Sequence, residues 1–315
     1  MGKFRTLLLA HHAGNNHATQ IAVRQFSDNV SRRTDGQIAI AAVPDSALGN
    51  LPELFRMVVD GKADMALMPH DRLSELSGKF GCVGIPFVFD DYPHAHRVLD
   101  GEFKAWTTAD LEAMGVVYLS GWEWGFRQIT NSIRPVLAPG DLKGLRIRIP
   151  PVRNLHTSIL ALGATPVIVE FKKLFTAIQK GLIDGQENPI AVIHTMALWT
   201  TQRYLSLLNY SYDTIIHIIN KSCFDGLSIE QQAILREESA HAGETMRSLI
   251  QTQEAEQLAQ FVDHGMRIDR PELRPFKEAS SKARQKIIER LGKETVQTFF
   301  DMVERHRQST GISQP

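Results

Sequence analysis

Two arginines, Arg146 and Arg148, alternate in the segment LRIRIP. On a strand, residues two apart share a face, so both guanidinium groups point the same way. A guanidinium is a planar, permanently charged fork that matches the two oxygens of a carboxylate. Standing alone, such a residue is by default a solvated strand-edge arginine. Three histidines, His11, His12 and His17, follow the apolar run RTLLLA. No cysteine or carboxylate accompanies them at ligand spacing, so they read as loop histidines rather than a metal site. His94 and His96 sit two apart at a helix start and point to different faces, which argues against a shared metal. Asp90 and Asp91 just before them read as a helix cap and dipole complement. Cys82 and Cys223 lack CxxC spacing and read as buried free thiols.

Enzyme signatures are absent. The chain holds no GxGxxG, GxxxxGK[ST], GxSxG or HExxH, so dinucleotide, P-loop, serine hydrolase and zincin chemistry lack their usual handles. Lys plus Arg and Asp plus Glu both number 35, so no summed field favours nucleic acid or an anionic membrane. With 315 residues and 43% hydrophobic content, the chain can bury a large core and suggests two domains. No apolar run reaches the length of a membrane span. The start, MGKFRTLLLAHH, is too short in apolar residues for an export signal, so export implies a signal already removed.

The elements that must position these residues alternate. FRTLLLAHHA reads as a buried strand, ATQIAVRQFSDNVSRRTDG as a helix, and QIAIAAVP as the next strand, with the loop lying over strand ends. NLPELFRMVVDGKA, ADMALMP and the helical stretch from Tyr92 repeat the pattern, which predicts an α/β fold on largely parallel sheets. From Ser228 to about Gly265 no proline intervenes, Ser228 can cap with Gln231, and apolar residues keep helical spacing. Such a helix would reach about 55 Å, longer than one domain is wide, and should brace two.

The central blocks GWEWGFRQITNSIRPVLAPGDLKGLRIRIP and LGATPVIVEFKKLFTAIQKGLIDGQENP are the least generic. With TDGQIAIAAVPDSALGNLPELFRMVVDGKADMAL and IPFVFDDYPHAHRVLDG before them, they resemble, in order, the DctP-like solute-binding proteins of the tripartite ATP-independent periplasmic (TRAP) transporters. The resemblance spans roughly residues 5 to 300. It implies a two-lobed periplasmic binding fold: two mainly parallel sheets flanked by helices, crossing hinge strands and one long bridging helix. The lobes would be residues 1–124 with about 211–250, and 125–210 with about 251–305. The helix at about 228–265 would span both, and 306–315 would form a tail.

The same resemblance implies that Arg148 forms the bidentate salt bridge to a substrate carboxylate. Arg127 would be a second basic residue near the ligand, Asn188 an amide donor and Phe171 the floor. Trp122 and Trp124 at the crossover are further candidates. They share a strand face, so both or neither should reach the ligand. Tyr210 and Tyr212 on a later strand, and His17, complete the set; many relatives carry His where this chain has Tyr210. Glu170 and Lys173 replace a proline and an acidic residue of the common PMPFSELY form, and ALGNLPELF is shorter than the usual LGGDRELLE. The implied function is capture of a small organic carboxylate by hinge closure in the periplasm and delivery to the TRAP membrane permease subunits. The implied protein has no catalysis, metal or cofactor and is a monomer or weak dimer. The aromatics favour a compact monocarboxylate. The alternatives are a ligand-sensing subunit for a membrane receptor and, behind it, a two-lobed α/β enzyme.

Overall fold

The structure, a computed structural model, describes residues 4–307. Nine strands are present among them: β1 (Arg5–Ala10), β2 (Ile38–Val43), β3 (Met65–Pro69), β4 (Val116–Asn131), β5 (Arg146–Ile149), β6 (Thr165–Ile168), β7 (Gly185–Pro189), β8 (Tyr204–Asn220) and β9 (Arg267–Asp269). They join in the order β2-β1-β3-β8-β4-β7-β5-β6, with β9 beside β8. β1 is parallel to β2 and β3, and β5 is parallel to β6 and β7. The two parallel halves therefore match the two expected sheets. They are fused into one because β4 and β8 pair antiparallel from Val116↔Asn220 to Asn131↔Tyr204, running through both.

This crossover is not regular. Its register slips between Tyr118 and Ser120, between Glu123 and Gly125, and between Arg127 and Ile129. Bulges bend a strand and re-aim its side chains. Gly125 sits in the middle slip at φ 111°, a conformation that side chains with a Cβ rarely adopt.

Each half of the sheet is covered on both faces. Ala10, Met68, Phe80, Phe103 and Tyr118 belong to one apolar cluster, and Phe26, Leu67, Trp122 and Met246 to another on the first half. Ile147, Ile159 and Phe276, and separately Leu174, Ile193 and Phe261, fill the second half. The C-terminal helices Ser281–Leu291 and Lys293–His306, expected in the second lobe, instead bury Ile287, Val296, Phe299 and Val303 in the first lobe's core with Phe80 and Phe89. The first of them also packs on the second lobe's helix Arg153–Ala161, with Arg290 donating to Asn154 Oδ1, so it sits between the lobes. The expected tail lies largely outside the described residues.

The long helix runs Ile229–Asp263, and Ser228 and Gln231 form the anticipated reciprocal cap, each backbone N–H donating to the other's side chain at 3.1 Å. Its first part packs on the first lobe so closely that a Cβ on Gly243 would lie 2.7 Å from the Gly121 carbonyl oxygen. Its last turns enter the second lobe's core through Phe261, and Gln260 bonds His194 at 2.7 Å.

Candidate ligand-binding site

In open α/β sheets, ligands bind beyond the carboxyl ends of parallel strands. Here those ends converge: β3 pairs with β8 so that Pro69 faces Ile215, and β7 pairs with β4 so that Pro189 faces Arg127. Both sets of strands therefore point their chain-forward ends at the crossover from opposite sides. His11 and His12 follow β1, and His70, Asp71 and Arg72 follow β3. The second lobe brings Arg148 on β5, Phe171 just after β6, and Glu187 and Asn188 at the end of β7.

Arg148 is 1% exposed. Its Nε donates to the Val169 carbonyl at 2.8 Å, its guanidinium lies 6.0 Å from the Phe171 ring centroid, and its Nη2 is buried with no hydrogen-bond partner among the described residues. Burial, reinforced by the nearby Arg127 and Arg72 charges and only partly offset by Glu187, pushes its pKa down to about 10. It remains a cation at neutral pH, desolvated and incompletely paired. Arg146, on the same face, is at the solvent end of β5 and closes on Asp184 at 2.7 Å.

Arg127 is buried too, but committed. It makes a two-pronged bridge to Glu187, one prong from Nη2 to Oε1 at 2.9 Å, and its Nη1 bonds Asp213. Tyr210 donates its hydroxyl to Glu187 Oε2 at 2.7 Å, and His70 Nε2 meets Asp213 Oδ1 at 3.1 Å while its Nδ1 meets the Phe80 carbonyl at 3.0 Å. Burial alone would raise the Asp213 carboxyl, but Arg127 and His70 hold it well below the usual range. For His70, burial opposes protonation and the Asp213 carboxylate overrides it, raising the pKa.

The first lobe faces this cluster with His12, His17, Trp124 and Arg72. The His12 and His17 rings lie 4.6 and 4.7 Å from Trp124. Arg72 Nη1 donates across the interlobe boundary to the Pro151 carbonyl at 3.2 Å, and the guanidinium is ion-paired with Asp71 at 3.8 Å and Glu75 at 3.6 Å. Phe171, beneath Arg148, packs against an apolar cluster that holds Trp124 of the first lobe and Ala191 and Val192 of the second.

Comparison with known proteins fits this geometry. The description "Bacterial extracellular solute-binding protein, family 7" (DctP) matches residues 9–291. The chain belongs to the DctP family. It is 35% identical over 249 residues to the 2,3-diketo-L-gulonate-binding periplasmic protein YiaO of Escherichia coli, covering 78% of this chain and 75% of that one. It is 26% identical to the C4-dicarboxylate-binding periplasmic protein DctP of Rhodobacter capsulatus, covering 86% and 83%. Among solved structures, the sugar acid binding protein DctPAm of Advenella mimigardefordensis strain DPN7T, in complex with galactonate, superposes with a TM-score of 0.91 at 26% identity, covering 98% and 100%. A TRAP periplasmic solute binding protein of Polaromonas sp JS666 bound to D-erythronate gives 0.88 at 28% identity, covering 94% and 98%. Members of the DctP family are extracytoplasmic substrate-binding proteins, not enzymes, that take small organic acids and work with a membrane permease. No helix among the described residues is long and apolar enough to cross a membrane, and no cluster of three or more His, Cys, Asp or Glu among them is placed to hold a metal.

In this DctP-family protein the expected site residues divide. Arg148, Arg127, Asn188, Phe171 and Tyr210 lie together; Asn188 is buried, donates to Gln186 Oε1 at 2.5 Å and takes a long 3.5 Å contact from Arg127. Trp124 and His17 lie on the facing surface. Trp122 does not: its indole N–H is shared between Ser120 Oγ and the Ser239 carbonyl, both at 3.0 Å, beneath the long helix. The two tryptophans share one cluster, as alternation requires, but the bulge between Glu123 and Gly125 brings only Trp124 to the lobe boundary. Tyr212 is likewise a core residue, ringed by Phe89, Tyr92 and Phe126 in the first lobe. Glu170 and Lys173 are exposed. Arg72, His12, His70 and Asp213 were not singled out as site residues from sequence. The signal that finds them is polar residues at the carboxyl ends of predicted strands.

The buried histidines set an acid limit. Burial drives His12 to about 3, His17 to about 4 and His217 to about 3, all below the ordinary 6.5. The unfolded chain therefore takes up their protons first. Stability is full above pH 6.5 and falls as pH drops toward 4, by about 1.4 kcal/mol per unit for each histidine. His70, with a raised pKa, has the opposite sign: its contribution is present below pH 6.5 and lost as pH rises through its folded value. Thermal unfolding of the protein between pH 7 and 4.5 should show a falling midpoint, and His217→Asn should flatten the slope.

Proposed function

We propose that this chain captures a small hydroxylated organic acid bearing one carboxylate, as its lobes close, and delivers it to a TRAP membrane permease on the extracytoplasmic side. The observation that carries this reading is the buried Arg148 guanidinium with Nη2 unpartnered. A desolvated fork of fixed charge is stabilised most by an anion that supplies both charge and hydrogen bonds. The choice of one carboxylate over two rests on how the cations are spent. Arg127 already faces two carboxylates, Glu187 and Asp213, and has no free fork. The relative of E. coli and the two ligand-bound structures carry, by their names, diketogulonate, galactonate and erythronate, all hydroxylated monocarboxylates.

A thermal-shift screen and calorimetry on an acid panel test this. Hydroxylated monocarboxylates should raise the unfolding midpoint, a ligand at 100 times its Kd adding about 2.7 kcal/mol. Succinate and malate should bind at least tenfold more weakly. Tighter binding of either dicarboxylate rejects the reading.

A further inference from the structure

We propose that His12, Trp124 and His17 form the subsite that reads the ligand's hydroxyl groups, making this chain selective for polyhydroxy acids over plain carboxylates of equal length. The inference rests on Arg148 holding the carboxylate end. His17 is 3% exposed and caps the helix Ala18–Arg33, its Nδ1 accepting the Thr19 backbone N–H at 3.2 Å. That bond fixes the tautomer: a neutral imidazole whose Nδ1 accepts carries its proton on Nε2. Burial keeps His17 neutral at physiological pH. His17 Nε2–H is thus a buried donor, and it has no partner among the described residues. His12 Nδ1 is a second buried imidazole nitrogen without one. Other buried imidazole nitrogens, His11 Nδ1 and His217 Nε2, also lack one; what sets these two apart is that both rings lie against Trp124, so that one ligand can complete both.

Their position agrees with that role. Both rings lie against Trp124, tilted 44° and 31° to its plane, which holds their orientation beside an aromatic wall suited to the C–H face of a polyol chain. His12 lies within the fields of Arg72 and Asp213, and Arg72 lies within that of Arg148. Trp124 belongs to the apolar cluster, spanning both lobes through Ala191 and Val192, against which Phe171 packs, and the Arg148 guanidinium lies over the Phe171 ring. The subsite therefore faces the carboxylate anchor across the lobe boundary. Neutral imidazoles pair with hydroxyls, donating and accepting without net charge; a second carboxylate there would have to bring a proton.

The test is the affinity ratio between D-erythronate and butyrate, which share chain length and carboxylate but differ in hydroxyls, with galactonate and 2,3-diketo-L-gulonate as further probes. His17→Asn keeps a capping oxygen for the Thr19 N–H but withdraws the Nε2 donor. His12→Phe keeps an aromatic ring against Trp124 and removes both nitrogens. Each should shrink the erythronate-to-butyrate ratio about tenfold, the usual worth of a lost hydrogen bond to a ligand. An unchanged ratio in both variants, with wild-type binding intact, overturns the subsite alone. Failure of wild type to bind any of the three hydroxylated acids overturns the reading on which it rests.

Discussion

Arg148→Met is expected to weaken acid binding by about 100-fold or more and yet to raise the unfolding midpoint of the ligand-free protein. The loss follows from removing one partner of a buried charge pair, which costs about 2–5 kcal/mol. The gain follows from the environment of the native residue. Burial, with two arginines nearby, pushes the guanidinium down to about 10, and Nη2 has no partner. Holding that cation in the dry interior costs the fold roughly 3 kcal/mol, which methionine of similar reach removes. The Val169 carbonyl then loses its donor at a cost of about 1 kcal/mol. The net gain of about 1–2 kcal/mol should lift the midpoint by a few degrees. Calorimetry for binding and thermal unfolding for stability read the two effects separately. A variant that binds normally, or one that unfolds well below wild type, contradicts the account.

Arg127→Met should do the reverse. Arg127 is the shared counter-ion of Glu187 and Asp213, both fully inside the protein. Its removal leaves two buried carboxylates facing each other with only Tyr210 and His70 as partners. Breaking a buried pair in this way costs about 3–5 kcal/mol, so the midpoint should fall by roughly 10 °C, and more steeply at high pH, where both carboxylates must stay ionised. Arg127→Met with Glu187→Gln should recover part of the loss, because one orphaned charge is then gone. Equal stability of the single and double variants would show that the pairing is not what holds this part of the crossover.

How much of this was legible beforehand differs residue by residue. The long helix was readable because Ser228, Gln231 and the absence of proline are local signals, and a reciprocal cap depends only on neighbours in sequence. Alternation does not separate Arg148 from Arg146: they share a face, and depth along β5 distinguishes a solvated ion pair from a desolvated fork. Trp122 and Tyr212 were misplaced because a strand that slips register loses the period on which face assignments rest. The partner of the C-terminal helices is not legible, because an amphipathic stripe states that it wants a partner and not which one. Asp213 and Arg72 were invisible because their meaning comes from residues far away in sequence, Arg127 and Pro151.

The unbroken passage of β4, β8 and the helix Ile229–Asp263 from one lobe to the other has a mechanical consequence. Two ropes between two bodies allow both folding and twisting; a third, set off to one side, suppresses the twist. For the closure proposed above, the two lobes would therefore be restricted to one arc of travel, so that whatever one jaw carries would land on the other in a single alignment.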